Sequence, residues 1–252
     1  MTLPIALILP AMVLAPQQPM PPAAGQIAGG QNVAEQIACA PASLPALPQM
    51  GLRVSGGLSR GRMMFAPGES LLVNAGTRQG LRNGQMYFVR RHLADPFTPA
   101  SIDFTPVGIH TAGWVTIVDA RDDTSVAQVT HACDGILDDD YLEPYTEPVV
   151  PDPLPGGAPD FEHPARIVMA DETLQTAAPG MLMLINRGSD HGVRPGQGLT
   201  IFRATLAGAG PTVEVGRGTI LSVRPQTSLM RVDDSRDAVY VGDLAALHRI
   251  NP

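Results

Sequence analysis

The chain has 252 residues, with 25 Pro, 26 Gly, 16% charged and 4% aromatic residues. That length suits one large domain or two small ones, and the composition favours short strands and turns over long helices. All 17 basic residues are Arg, which excludes a Schiff-base lysine, a P-loop lysine and a Ser-Lys dyad, while a formal charge of -7 without a basic block argues against nucleic-acid binding.

Residues 1–25 read as a signal peptide and the start of a linker. Leu3–Ala15 is an uncharged apolar run, too short to span about 30 Å of hydrocarbon as a helix and right for an export h-region. Cleavage is expected after Ala15 or near Ala23-Ala24-Gly25, and the true start can lie upstream because the basic n-region is missing. No other stretch approaches a membrane span, so the processed chain is expected in the periplasm or secreted.

Residues 26–51 read as an extended N-terminal arm carrying Cys39. In an oxidising compartment Cys39 and Cys133 are expected to form a structural disulfide, closing a loop of about 95 residues worth roughly 4–5 kcal/mol in the chain-entropy model. Two buried free thiols are the alternative, and a lipidated Cys39 fits less well because Gln36 stands where an aliphatic residue is wanted.

Residues 52–146 and 165–250 read as two copies of one module. Shifting the chain by 112 lays 67–91 on 179–203 with ten of 25 positions identical, among them Asn74/Asn186, Gly76/Gly188, Gly80/Gly192, Arg82/Arg194, Gly84/Gly196, Gln85/Gln197 and Arg91/Arg203. At a shift of 103, residues 113–129 match 216–232 at seven of 17 positions, and Asp134/Asp237 and Asp140/Asp243 continue the match. Ahead of the first block RMMFA (62–66) echoes RIVMA (166–170), with eight extra residues following in the second copy.

Within each copy, Asn-x-Gly is expected to close a first strand with residues that tolerate positive φ. Gly-(Leu/Val)-Arg-x-Gly-Gln makes a second turn, its glycines left-handed and Leu81 or Val193 plugged into the core. A strand and a hairpin follow, so each copy is expected to be a small β-barrel whose closure removes exposed edges. Between the copies, 147–164 holds six prolines and no apolar period, and is expected to be a semi-stiff extended linker.

Chemistry is sparse. Gly57-Leu58-Ser59-Arg60-Gly61 matches the nucleophile-elbow pattern, which needs an α/β sheet that this sequence does not offer. The histidines are scattered; His131-Ala132-Cys133 could hold zinc only with Cys133 reduced. Asp122-Asp123 and Asp138-Asp139-Asp140 lack the spacing of a calcium loop and read as a hairpin turn and a solvated strand exit. Arg82 and Arg194 are expected to bond loop carbonyls, with anion binding as the alternative. Trp114, Tyr141 and Tyr145 are the aromatics available for a sugar platform, with core packing as the commoner use.

The pattern Asn-x-Gly-Ser-x-x-Gly-Val-Arg-x-Gly-Gln at 186–197, its copy at 74–85 and the strands after each resemble the SH3-like barrel of the rod-shape-determining protein MreC and the C-terminal domain of the flagellar assembly protein FlgT. They are also similar to secreted bacterial proteins of undefined role, some called LysM-type, although no LysM repeat is present. The resemblance implies an all-β fold of two tandem SH3-like barrels and a non-enzymatic scaffold or protein-interaction role at the bacterial envelope. The alternative is a peptidoglycan or glycan-binding module, and a hydrolase using Ser59 is a distant third. No cofactor or metal is expected, the partner is an envelope protein or peptidoglycan, and oligomers are compatible with the fold.

Overall fold

In the strand 125–132, Ser125, Ala127 and Val129 are buried while Gln128 and Thr130 are exposed, the two-residue period of a sheet with one face on a core. That pattern recurs through the computed structural model, which describes residues 32–44, 51–59, 61–93, 107–170, 174–204 and 212–250. The segment 1–25, expected to direct export, lies outside the described residues.

The described residues are all-β apart from one short helix and two single-turn 3-10 segments. The first part runs α1 (Val33–Cys39), β1 (Ala42–Leu44), β2 (Val54–Gly57), β3 (Met64–Phe65), β4 (Ser70–Val73), β5 (Met86–Leu93), β6 (Val107–Ala120), β7 (Ser125–Ala132), β8 (Ile136–Leu137) and β9 (Tyr141–Pro144). The second runs β10 (Gly156–Pro159), β11 (Ala165–Ala170), β12 (Thr176–Ala177), β13 (Leu182–Ile185), β14 (Gly198–Ala204), β15 (Thr212–Val223), β16 (Ser228–Ser235), β17 (Val239–Tyr240) and β18 (Leu244–Ile250).

The second sheet is a closed six-stranded barrel, because β18 pairs with both β11 and β14. The first sheet follows the same order, β2-β4-β7-β6-β5-β9, and its ends meet at a bridge between Arg53 and Tyr141 and where Leu142 N–H donates to the Leu52 carbonyl at 2.9 Å. The equivalent pair, Arg166 and Leu244, closes the second. Each barrel has its own core: Leu71, Val73, Val89, Val115, Ile117 and Val129 in the first, Met183, Ile185, Leu199, Ile201, Ile220 and Val232 in the second.

Three expectations change. The described part of the arm is not extended throughout: Val33–Cys39 is a helix, begun by Asn32, whose side chain accepts from Ala34 N–H, and built largely of Ala, Glu, Gln and Ile, which suit a helical turn. Seven residues are too few to show a helical period. The Pro-rich segment is not a free tether along its length, because β10 pairs with β18, Leu154 N–H donates to the Gly196 carbonyl at 2.8 Å and Phe161 packs on Phe202. Proline is tolerated at a sheet edge because the side lacking an N–H faces solvent and not a neighbouring strand.

The third is the register of the repeat ahead of position 67. RIVMA is β11, and its partner in the first copy is Arg53-Val54, not RMMFA, whose Met64-Phe65 is β3 and matches β12. The hydrogen bonds make the match plain. Asn74 Oδ1 accepts from Arg53 N–H and Asn186 Oδ1 from Arg166 N–H, both at 2.7 Å.

Candidate interface cleft between the barrels

The arm lies against both barrels. Cys39 is bonded to Cys133 with 5.5 Å between the Cα atoms, which fixes the end of α1 on the first barrel. Around that bond Ala38, Phe88 and Trp114 are buried, with Tyr145 packed on them. Trp114 stacks on the His131 ring at 4.2 Å, and Phe88 lies 4.7 Å from the Tyr145 ring.

On the other side Ile37 and Ala40 pack on Leu182, Leu184, Leu221 and Leu229 of the second barrel. This explains why all four residues of β13 are buried: Met183 and Ile185 face the barrel core, while Leu182 and Leu184 face the arm. A buried hydrogen bond from Ser43 Oγ to Thr227 Oγ1, 3.0 Å, ties β1 to the β15–β16 turn.

Beside this wedge opens a cleft of about 300 Å³ with walls from α1, from Phe88, Arg90 and Glu143 of the first barrel, and from Leu184 and Arg224 of the second. Its floor holds a buried cation. The Arg90 side chain is 9% exposed, its guanidinium carbon sits 4.6 Å over the Phe88 ring, and its Nε lies 3.0 Å from Glu143 Oε2. The geometry of that contact is too poor for a hydrogen bond, so Arg90 Nε and Nη1 and Glu143 Oε2 are all buried without one, as is the neighbouring Tyr141 hydroxyl. Burial pulls the Arg90 guanidinium below its ordinary value; Glu143 opposes that and Arg224 adds to it. Burial pushes the Tyr141 hydroxyl up to about 12.

The repeat turns are structural. Gln85 Oε1 accepts from Arg82 N–H at 2.8 Å and Gln197 Oε1 from Arg194 N–H at 3.1 Å. Gly80, Gly84, Gly192 and Gly196 all have positive φ, between 77° and 89°, as the turn chemistry requires, and Leu81 and Val193 are buried. Gly76 and Gly188 differ from expectation: their φ values are -140° and -139°, ordinary extended backbone. Glycine is needed there because a Cβ would run into the carbonyl oxygen of Arg121 or Arg224.

The Arg82 and Arg194 guanidiniums were expected to brace loop carbonyls. They are exposed and make no hydrogen bond or ion pair among the described residues, because the Gln side chains already hold the turns. Ser59 is exposed on a bend, with no described histidine bonded to it.

Cys39, His131 and Cys133 cluster as metal ligands would, but the two sulfurs are spent on each other. Asp122 and Asp123 pair with Arg78. Asp140 is not solvated; it is buried and takes two hydrogen bonds from Arg91. Trp114 is 7% exposed and Tyr141 4%, so neither offers a sugar a face.

Sequence reasoning missed Arg90, Glu143 and Arg224. For the first two the signal was in the repeat itself: Arg90 pairs with Tyr141 as Phe202 pairs with Leu244, and Phe88 faces Glu143 as Thr200 faces Ala246. Three polar residues of one copy therefore stand where the other has Phe, Leu and Ala. No family model matches this chain and no curated protein matches it. Among the described residues no helix is long and apolar enough to cross a membrane.

Proposed function

We propose that this is an exported, non-enzymatic protein of the bacterial envelope that holds another protein. The observation that carries the reading is the cleft between the barrels, where apolar walls stand beside a buried guanidinium with unbonded N–H groups. A binding site of that kind is concave, mostly apolar and oriented by a few polar groups. The disulfide suits an oxidising compartment, and Leu58, Met63 and Met64 add exposed apolar surface near the β2–β3 connection. Burial of Trp114 weighs against the glycan reading, which needs an aromatic face open to a sugar ring.

The test is a pull-down with the oxidised chain from about residue 26, run separately against purified peptidoglycan sacculi and an envelope protein extract. Retention of a specific envelope protein, with the chain left in the supernatant after spinning with sacculi, is expected. Sedimentation with sacculi and no retained protein contradicts the reading.

A further inference from the structure

In the sequence His131 and Cys133 are a close pair of metal ligands with no third beside them. The fold supplies the third, because α1 ends at Cys39 and carries its sulfur to Cys133. Both sulfurs and a ring nitrogen of His131 lie within 4.8 Å of one another, and all three residues are half-buried. The His131 imidazole makes no hydrogen bond among the described residues; it lies flat on the Trp114 ring at 4.2 Å, which fixes its plane.

The second copy shows that the barrel does not need these residues. Trp114 pairs with His131 across β6 and β7 as Arg217 pairs with Asp234 across β15 and β16. Cys133 N–H donates to the Ala112 carbonyl as Arg236 N–H does to that of Val215. The second copy thus fills the His131 position with Asp234, in an exposed ion pair with Arg217 at 3.0 Å, and the Cys133 position with Arg236. The imidazole has no such part in its own hairpin, and it keeps a nitrogen beside two sulfurs.

We infer that reduction of the Cys39–Cys133 bond turns this cluster into a zinc site, with two thiolates and one His131 nitrogen as protein ligands and water in the fourth position. Two sulfurs and an imidazole are a set that zinc takes, at about 2.3 Å for sulfur and about 2.0–2.1 Å for nitrogen. The two thiolates cancel the charge of the ion, which suits a half-buried site against Phe88 and Trp114. Cα atoms 5.5 Å apart leave room for the sulfurs to part by side-chain rotation and share the ion.

The reductant is a dithiol. Its thiolate attacks one sulfur, the Cys39–Cys133 bond breaks, and a second attack closes the dithiol's own disulfide, so two electrons and two protons pass to the cysteines. Zinc then displaces those two protons to solvent. Oxidised or zinc-loaded, the chain keeps α1 fastened to the first barrel; reduced and metal-free, it loses that fastening.

The experiment compares the oxidised chain with the chain reduced by dithiothreitol and moved to a metal-free buffer that holds a phosphine. Both are titrated with zinc against a chromophoric chelator. The reduced chain is expected to take up one zinc ion and the oxidised chain none; uptake by both or by neither overturns the inference. Iodoacetamide is expected to label both cysteines after dithiothreitol without denaturant, and no labelling overturns the redox step. Zinc is expected to raise the melting temperature of the reduced chain and return the Trp114 emission to that of the oxidised chain. Uptake without either change would put the ion on unfolded thiols and overturns the inference.

His131→Gln is expected to weaken zinc binding by at least about tenfold while the oxidised variant melts as the unaltered chain does. Unchanged affinity would reduce the site to a bare dithiol and overturns the inference. X-ray absorption at the zinc edge reads the same ligand without a variant. Two sulfurs and the outer-shell scattering of one imidazole are expected, and a spectrum without imidazole overturns the assignment.

Discussion

Arg91 donates to Asp140 through both Nε and Nη2, at 2.7 and 2.8 Å, across the first barrel. Asp140 also accepts from Leu137 N–H at 2.8 Å, and Arg91 Nη2 donates to the Gly135 carbonyl at 3.0 Å. The second barrel repeats the arrangement with Arg203 and Asp243, the latter accepting from Tyr240 N–H at 2.9 Å. The Asp therefore fastens the short strand β8 or β17 to the long strand opposite, and the Arg neutralises it where it is buried.

Removing one partner of such a pair leaves an uncompensated buried charge. Arg91→Ala, which leaves the buried Asp140 carboxylate without its cation, is expected to lower stability by about 3–5 kcal/mol in urea unfolding, and Arg203→Ala to do the same to Asp243 in the second barrel. Replacing Arg91 and Asp140 together by apolar residues of similar volume is expected to recover much of the loss. A loss under 1 kcal/mol for either single variant would show that the pair is a passive surface contact.

The disulfide holds the arm that lines the cleft. Reduction, or Cys39→Ser with Cys133→Ser, is expected to cost roughly 4–5 kcal/mol by release of the long loop. Trp114, the chain's single Trp, packs beside that bond and on His131, so its fluorescence reports the change. A shift of its emission on reduction, before global unfolding, is expected; an unchanged spectrum would mean that α1 stays docked without the bond.

Two glycines of one turn should respond differently. Gly80 has φ 89° with open space around its Cβ position, so Gly80→Ala is expected to cost about 1–2 kcal/mol from backbone strain alone. Gly76 has ordinary backbone angles but faces the Arg121 carbonyl, so Gly76→Ala forces the hairpin away and is expected to cost about 3 kcal/mol, the upper end for overpacking. Comparison of the two by chemical denaturation checks the order, and the reverse order would contradict this account of the repeat.

His248 gives the second barrel a pH dependence. Its ring bonds to Thr200 Oγ1 at 2.9 Å, and burial, with the Arg217 charge adding to it, holds its pKa below the ordinary value of 6.5. The unfolded chain thus takes up the proton first, and stability is complete above about pH 6.5 and falls as the pH drops below it towards the folded pKa. His248→Gln is expected to flatten the unfolding midpoint over that window. Equal slopes for both chains would assign the pH dependence to other groups.

The fold was legible where the repeat preserved a residue for a backbone reason. Gly80, Gly84 and Leu81 carry the turn, and Gly192, Gly196 and Val193 repeat it in the second copy. Arg91 and Asp140 were also visible as matched positions, but nothing in either block shows that the two side chains meet across the barrel.

The cleft was hidden for the opposite reason. Arg90, Tyr141 and Glu143 are places where the copies disagree, and a search for identity passes over them. The arm's helix was too short for periodicity, and its packing on Leu184 and Leu229 belongs to tertiary contact that no local pattern records.

The central claim is that a partner protein is held between the barrels. A photo-crosslinking amino acid in place of Thr146, which lines the cleft, tests it against the same group in place of Val213, an exposed site that does not. Illumination in an envelope extract is expected to join the retained protein to the chain carrying the probe at position 146 and to leave the chain carrying it at 213 unlinked. Crosslinks at 213 alone, or at neither position while the protein is still retained, would place the interaction elsewhere on the molecule and contradict the account.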